Sequence, residues 1–215
     1  MPPRVRPCDV AMPRRRVCTA LALPPALAWL GAVAGCVSAP EKMSAIEAAN
    51  AGFRAEYERI LADAGSRRVA LPRRDALLAL RVALAGLGMH TEAQDLDLGV
   101  LVSAGPAPRP LSDAEWAQAS ALDTPLLRRL VERHVGIAAN FVQFEPQGLD
   151  VLISATAVGQ GAGSEVSLTV RLRETAPPRS GWPRREYVAP HLLRAGLAKI
   201  WAAYEIEVRA SLTRP

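Results

Sequence analysis

The feature that most constrains this chain is an apolar run over residues 17–35 that contains no charged side chain. Arg14, Arg15 and Arg16 lead into it and Cys36 closes it. A positive n-region, an apolar stretch and small residues at its end make the layout of a secretory signal. A spanning helix needs about 20 apolar residues, and the run nearly reaches that length. A retained transmembrane anchor is therefore the alternative, with ordinary cleaved secretion as a third reading. Pro24-Pro25 argues against the anchor, because proline lacks the N–H and clashes with the preceding turn. Arg14-Arg15 also fits a twin-arginine signal loosely. Met12 offers a second start, which would make residues 1–11 an extension.

The run ends in Val33-Ala34-Gly35-Cys36. This tetrapeptide resembles the lipobox of bacterial lipoproteins: an aliphatic residue, two small residues and an obligatory cysteine. The resemblance covers the first sixth of the chain. It implies that Cys36 is diacylated on sulfur, becomes the N-terminus after cleavage, and is then acylated on its amine, palmitate being a typical chain. More than one acyl chain gives stable anchoring, each buried CH₂ contributing about 0.8 kcal/mol. Val37 follows, and by the same resemblance the lack of Asp there implies sorting to the outer membrane, facing the periplasm, with the inner membrane as the alternative.

Charge has to be read with this leader in mind. The formal net charge of +5 and pI near 9.6 suit a nucleic-acid binder. However, residues 1–35 hold five arginines and one aspartate, which leaves 21 basic against 20 acidic residues in the rest. With the leader removed, no nucleic-acid partner is expected. Cys8 and Cys18 leave with it and Cys36 carries lipid, so the mature domain has no thiol for a disulfide, a metal site or a nucleophile. The domains expected are a signal peptide at 1–35, a lipidated tether with an N-terminal helix at 36–66, and a single α+β domain at 67–210. The chain beyond the leader is long enough for one sizeable core.

Within that chain, Ser44 and Glu47 have capping-box spacing and predict a helix over 45–64, standing as a stalk or packing helix. Its stripe is Ile46, Ala49, Phe53, Tyr57, Ile60 and Leu61. A strand is expected over 67–71, a helix over 75–87 after Pro72, and two strands over 89–95 and 98–103. Three prolines at 106–110 predict a loop. A helical region follows over 112–121, restarting at Asp123-Thr124-Pro125 and running to His134. Three strand-like runs are expected over 137–144, 149–158 and 166–174, then a Pro-rich loop over 176–183 and a closing helix over 189–204. On 166–174, Val166, Leu168, Val170 and Leu172 alternate with polar residues, the pattern of a strand with one buried and one wet face. An antiparallel sheet with helices packed on one face satisfies both kinds of apolar surface. From Val69 through Pro72, Leu87-Gly88, Asp97-Leu98-Gly99 and the 167–172 strand to Trp201, the layout resembles the helix-grip domains of small Gram-negative envelope lipoproteins. That resemblance bears on fold rather than activity.

No catalytic set stands out. His90, His134 and His191 have no ligand spacing among them, and His134 suits the last turn of a helix. Glu92, Asp95 and Asp97 crowd one hairpin and read as turn acids, since the calcium-loop pattern is missing. Gly159, Gly161 and Gly163 precede a strand, not a helix, so they read as a hairpin turn rather than a phosphate cradle. No metal or cofactor is expected. The candidate interaction surface is basic with one aromatic: Arg171, Arg173, Arg179, Trp182, Arg184 and Arg185, suited to anionic headgroups or an acidic partner. The expected function is a non-catalytic, lipid-anchored periplasmic protein that binds another envelope component as an assembly accessory. The alternative is a carrier, because a helix across a curved sheet can enclose an apolar cavity for a lipid.

Overall fold

A computed structural model describes residues 37–176 and 187–213. The expected signal peptide and Cys36 lie outside the described residues. In chain order the elements are α1 (Ala39–Ala64), β1 (Ser66–Val69), α2 (Arg73–Gly86), β2 (His90–Asp95), β3 (Val100–Pro106), α3 (Asp113–Val135), a 3-10 turn (Gly136–Phe141), β4 (Leu149–Gln160), β5 (Gly163–Glu174) and α4 (Pro190–Leu212). The strands form one antiparallel sheet in the order β1-β5-β4-β3-β2, and with the four helices this makes an α+β fold.

One face of the sheet is dry. On β4 the residues Val151, Ile153, Ala155 and Ala157 are buried, and on β5 Val166, Leu168 and Val170. The register sets Ile153 beside Val170 and Ala155 beside Leu168, with Leu101 of β3 on the other side of Ala155. Leu77, Leu80 and Leu84 of α2 and Leu193, Leu197 and Ile200 of α4 belong to the same buried cluster. Each such side chain contributes about 1.5–3 kcal/mol by leaving water. The β4–β5 hairpin closes through Gly161 and Ala162, with Gln160 paired to Gly163. Gly161 sits at φ 59°, in the left-handed region that side chains avoid. A Cβ on Gly163 would lie 2.3 Å from the carbonyl oxygen of Val69, so β1 approaches β5 closely there.

Four local expectations are corrected. Helix α1 starts six residues earlier than the predicted 45, because Ser38 and Glu41 form the capping box and Pro40 stands in the first turn. Proline tolerates that position, where its missing N–H has no helical partner anyway. The tether therefore shrinks to Val37. Phe53, Tyr57 and Ile60 of α1 lie in the common core, so of the two expected forms, stalk or packing helix, α1 takes the second. Strand β3 runs into the predicted loop, Pro106 standing opposite Asp150 at its end. Helix α3 is continuous through Pro125. Its buried row Trp116, Ala119, Asp123, Leu127 and Val131 keeps helical spacing across the proline, and Thr124 Oγ1 donates to the Ser120 carbonyl at 2.7 Å just before it. Residues 137–144 do not form a strand. Ala139 and Val142 are buried, a spacing of three that suits a 3-10 turn, while Ile137 and Phe141 are exposed.

The helix directions follow from a few contacts. Glu56 of α1 meets Arg194 of α4 at 2.8 Å, and Trp201 Nε1 donates to the Ala64 carbonyl at 2.8 Å, so α1 and α4 run parallel. Asp123 accepts from the Leu192 N–H while Glu115 pairs with Lys199, so α3 runs antiparallel to both. Gly52 faces Leu130 closely: a Cβ there would lie 2.6 Å from Leu130 Cδ2. The N-terminal end of α1 and the C-terminal end of α3 therefore share one end of the helical layer.

Candidate interaction surface

The second face of the sheet is built by the alternate residues of the same strands. Ser154 of β4 faces Thr169 of β5, Leu152 faces Arg171 and Asp150 faces Arg173. These side chains are exposed or half-exposed. The strand period of two puts Arg171 and Arg173 in one outward row, as the alternation predicts. The remaining members of the predicted surface, Arg179, Trp182, Arg184 and Arg185, lie outside the described residues.

Arg173 is the centre of an ion-pair network. Its guanidinium donates to both oxygens of Glu92, at 2.5 and 3.0 Å, and to Asp150 at 3.0 Å. The fork-on-fork geometry matches a carboxylate bidentately. The bridge reaches from β5 across β4 and β3 to β2, and Ala104, on the outward row of β3, is fully buried. Pairing raises the Arg173 guanidinium further and lowers Glu92 below the ordinary carboxylate range, Arg173 being its main cause. His90 Nε2 lies 3.9 Å from the same Glu92. Arg173 is thus charge-compensated, and the basic character expected of this strand is reduced by two carboxylates. Of the other hairpin acids, Asp95 accepts the N–H groups of Asp97 and Leu98 at 3.0 and 2.8 Å, a turn role as predicted, while Asp97 lies 3.7 Å from Arg74. Arg171 stays on the exposed row, its backbone bridged to Tyr187.

A second polar constellation was not legible in the sequence. Asp123 of α3 is 0% exposed. Its carboxylate accepts the backbone N–H groups of His191 and Leu192 at 3.0 Å each, and lies 2.7 Å from His191 Nδ1. Residue 189, the N-cap of α4, is Ala and supplies no side-chain bond. Asp123 therefore caps α4 from another helix, and the negative charge favours the positive end of the helix dipole. A buried carboxylate orienting a half-exposed imidazole is also half of a nucleophile-activating set, but among the described residues no hydroxyl hydrogen-bonds to His191. The chemistry that the geometry does show is capping. The signal was split between Asp123 and a helix start 68 residues away, and only Asp123 next to Pro125 hinted at a local role.

Between the loop at 108–111, the sheet and α4 lies an apolar cleft, bordered by Trp116, Val151, Val170, Leu192, Gly196 and Ile200. Its free volume is about 20 Å³, room for about one water molecule. Among the described residues no group of three His, Cys, Asp or Glu side chains gathers as metal ligands, and no helix is long and apolar enough to cross a membrane. No protein-family model matches the chain, and neither a characterised protein nor a solved structure matches it significantly.

Proposed function

We propose that this chain is a bacterial envelope lipoprotein: anchored through lipid on Cys36, facing the periplasm from the outer membrane, and acting without catalysis by binding another envelope protein. The observation that carries the reading is the placing of Cys36. It ends an Arg-led apolar run, and the capped, core-packed helix α1 begins with Ser38 as its N-cap, two residues later. A signal cleaved at Gly35 would leave the whole described domain intact behind the anchor. The open sheet face, with Arg171 and the compensated Arg173 in one row, is the surface offered to a partner. Exposed polar side chains on a rigid sheet suit recognition, since the scaffold holds them without further ordering cost. The carrier alternative has less behind it, because the cleft under α4 has room for about one water, far less than the 300–1,000 Å³ of ligand pockets.

The test is intact-mass spectrometry of the protein from the membrane fraction, beside a Cys36→Ser variant. The expected mass begins at Cys36 and carries acyl chains that the variant lacks. A mass that retains residues 1–35 means a transmembrane anchor and overturns the lipoprotein reading. A photo-cross-linking residue at Thr169, on the open face, is expected to trap an envelope protein in intact cells; no adduct there removes the sheet face as the binding surface.

A further inference from the structure

Ile137 and Phe141 are the two most exposed large apolar side chains of the described domain, at 83% and 77%. Both stand on the 3-10 turn that follows α3. Met43 of α1, half-exposed, adds a third apolar side chain at the same end of the helical layer, because α1 and α3 run antiparallel with Gly52 against Leu130. Arg133 stands in the last turn of α3 just before the 3-10 turn and Lys42 is beside Met43, but Glu132 and Glu41 are their chain neighbours and offset both charges. Exposed apolar tips on a surface without net charge suit the boundary between headgroups and acyl chains of a bilayer.

The chain itself says which surface is near. Cys36 precedes the N-cap Ser38 by two residues, and two residues span at most about 7 Å. Val37 packs against the core, so the slack between the anchor and the folded domain is one residue. We infer that the turn Gly136–Phe141, with Met43 at the same end of the helical layer, is a membrane-docking surface that lays the domain on the leaflet holding its anchor. This rests on the lipid-anchor reading of Cys36. Docking would fix one end of the helical layer to the bilayer, because a short lipid tether alone leaves the domain free to roll, whereas a second apolar contact removes that freedom.

The test uses the acylated protein in vesicles of phosphatidylethanolamine and phosphatidylglycerol, with an environment-sensitive fluorophore on Ile137→Cys or, as control, on Gln118→Cys near the far end of α3. Both positions are exposed, so neither label disturbs the core. The expected result is severalfold stronger quenching by nitroxide lipids at position 137 than at 118, with a blue shift at 137 alone. An acylated, vesicle-bound protein whose label at 137 is quenched by aqueous iodide overturns the docking and leaves the anchor standing. A label shielded from both quenchers means that a protein, either a second copy or a partner, covers the turn, and this also overturns it. A protein that carries no acyl chain and stays off the vesicles fails the anchor reading, and the docking with it.

Discussion

Two buried tyrosines show how one hydroxyl changes sign with its surroundings. β5 outruns its neighbour β1, whose pairing stops at Ser167, so none of the described strands lies beside Val170 on that edge. The Tyr57 hydroxyl fills the gap: it donates to the Val170 carbonyl at 2.9 Å and accepts from the Val170 N–H at 3.3 Å. The ring is held edge-on by Tyr187 with centroids 5.2 Å apart, and burial is the main cause of a raised phenol pKa. Tyr204 is as deeply buried but its hydroxyl has no partner among the described residues, and desolvation alone pushes its phenol up. An unsatisfied buried group costs about 1–3 kcal/mol. Tyr57→Phe is therefore expected to destabilise by about 1–3 kcal/mol, since it orphans both backbone groups of Val170. Tyr204→Phe is expected to be neutral or to stabilise by up to about 1 kcal/mol, since it removes the orphan itself. Urea unfolding followed by circular dichroism separates the two; equal losses would mean that packing, and not hydrogen bonding, decides.

At the scale of elements, α4 depends on α3 for its start. Ala189 cannot cap, and Pro190 only removes one free N–H. Asp123 supplies the acceptor from the middle of α3, where Pro125 would otherwise be expected to end the helix. Asp123→Ala is expected to cost about 2–3 kcal/mol, a lost cap together with lost charge-assisted bonds. Asp123→Asn should recover part of this, because its amide oxygen still accepts. Thermal unfolding of the two variants checks the claim; if they are equal, the carboxylate is not acting as the cap. The same pair shows why the sequence misled here. Asp-Thr-Pro reads locally as a restart, and only the arrival of α4 from 68 residues away gives Asp123 a partner worth keeping the helix intact for.

At the scale of the whole molecule, carboxylates tie the helical layer together. Glu115, already in the capping box of α3, pairs with Lys199 of α4, and Glu56 of α1 pairs with Arg194 of α4. Lys199 and the Ser112 bonds lower Glu115 from an ordinary 4.5 to about 2. Arg59 first and Arg194 second lower Glu56 from 4.5 to about 2. Both groups bind protons more weakly folded than unfolded, so acid favours the unfolded chain. Their contribution is complete above about pH 4.5, shrinks as pH falls, and is gone near pH 2. Urea midpoints should therefore fall through that window, and the Glu56→Gln, Glu115→Gln double variant should flatten the fall. Both pairs are partly exposed, so high salt should shrink the effect as well. An unchanged slope in the double variant would place the acid sensitivity in other groups.

What the sequence determined by itself was periodic. The strict alternation over 166–174 forced one face of β5 inward, the leucine rows of α2 and α4 forced their burial, and a sheet roofed by helices was the arrangement able to satisfy both. The Arg-led run ending in Cys36 gave the anchor reading, which still rests on those residues alone. Tertiary structure decided whatever depends on a partner far along the chain. Arg173 looked like one cation in a basic cluster until Glu92, 81 residues away, and Asp150 closed on it. Apolar residues 137–144 looked like a strand, but the segment turned instead, burying Ala139 and Val142 and leaving Ile137 and Phe141 outside. Periodicity is written in neighbours and survives in the sequence. Pairing across the fold is set by which surfaces packing brings together, and no local window of the chain contains it.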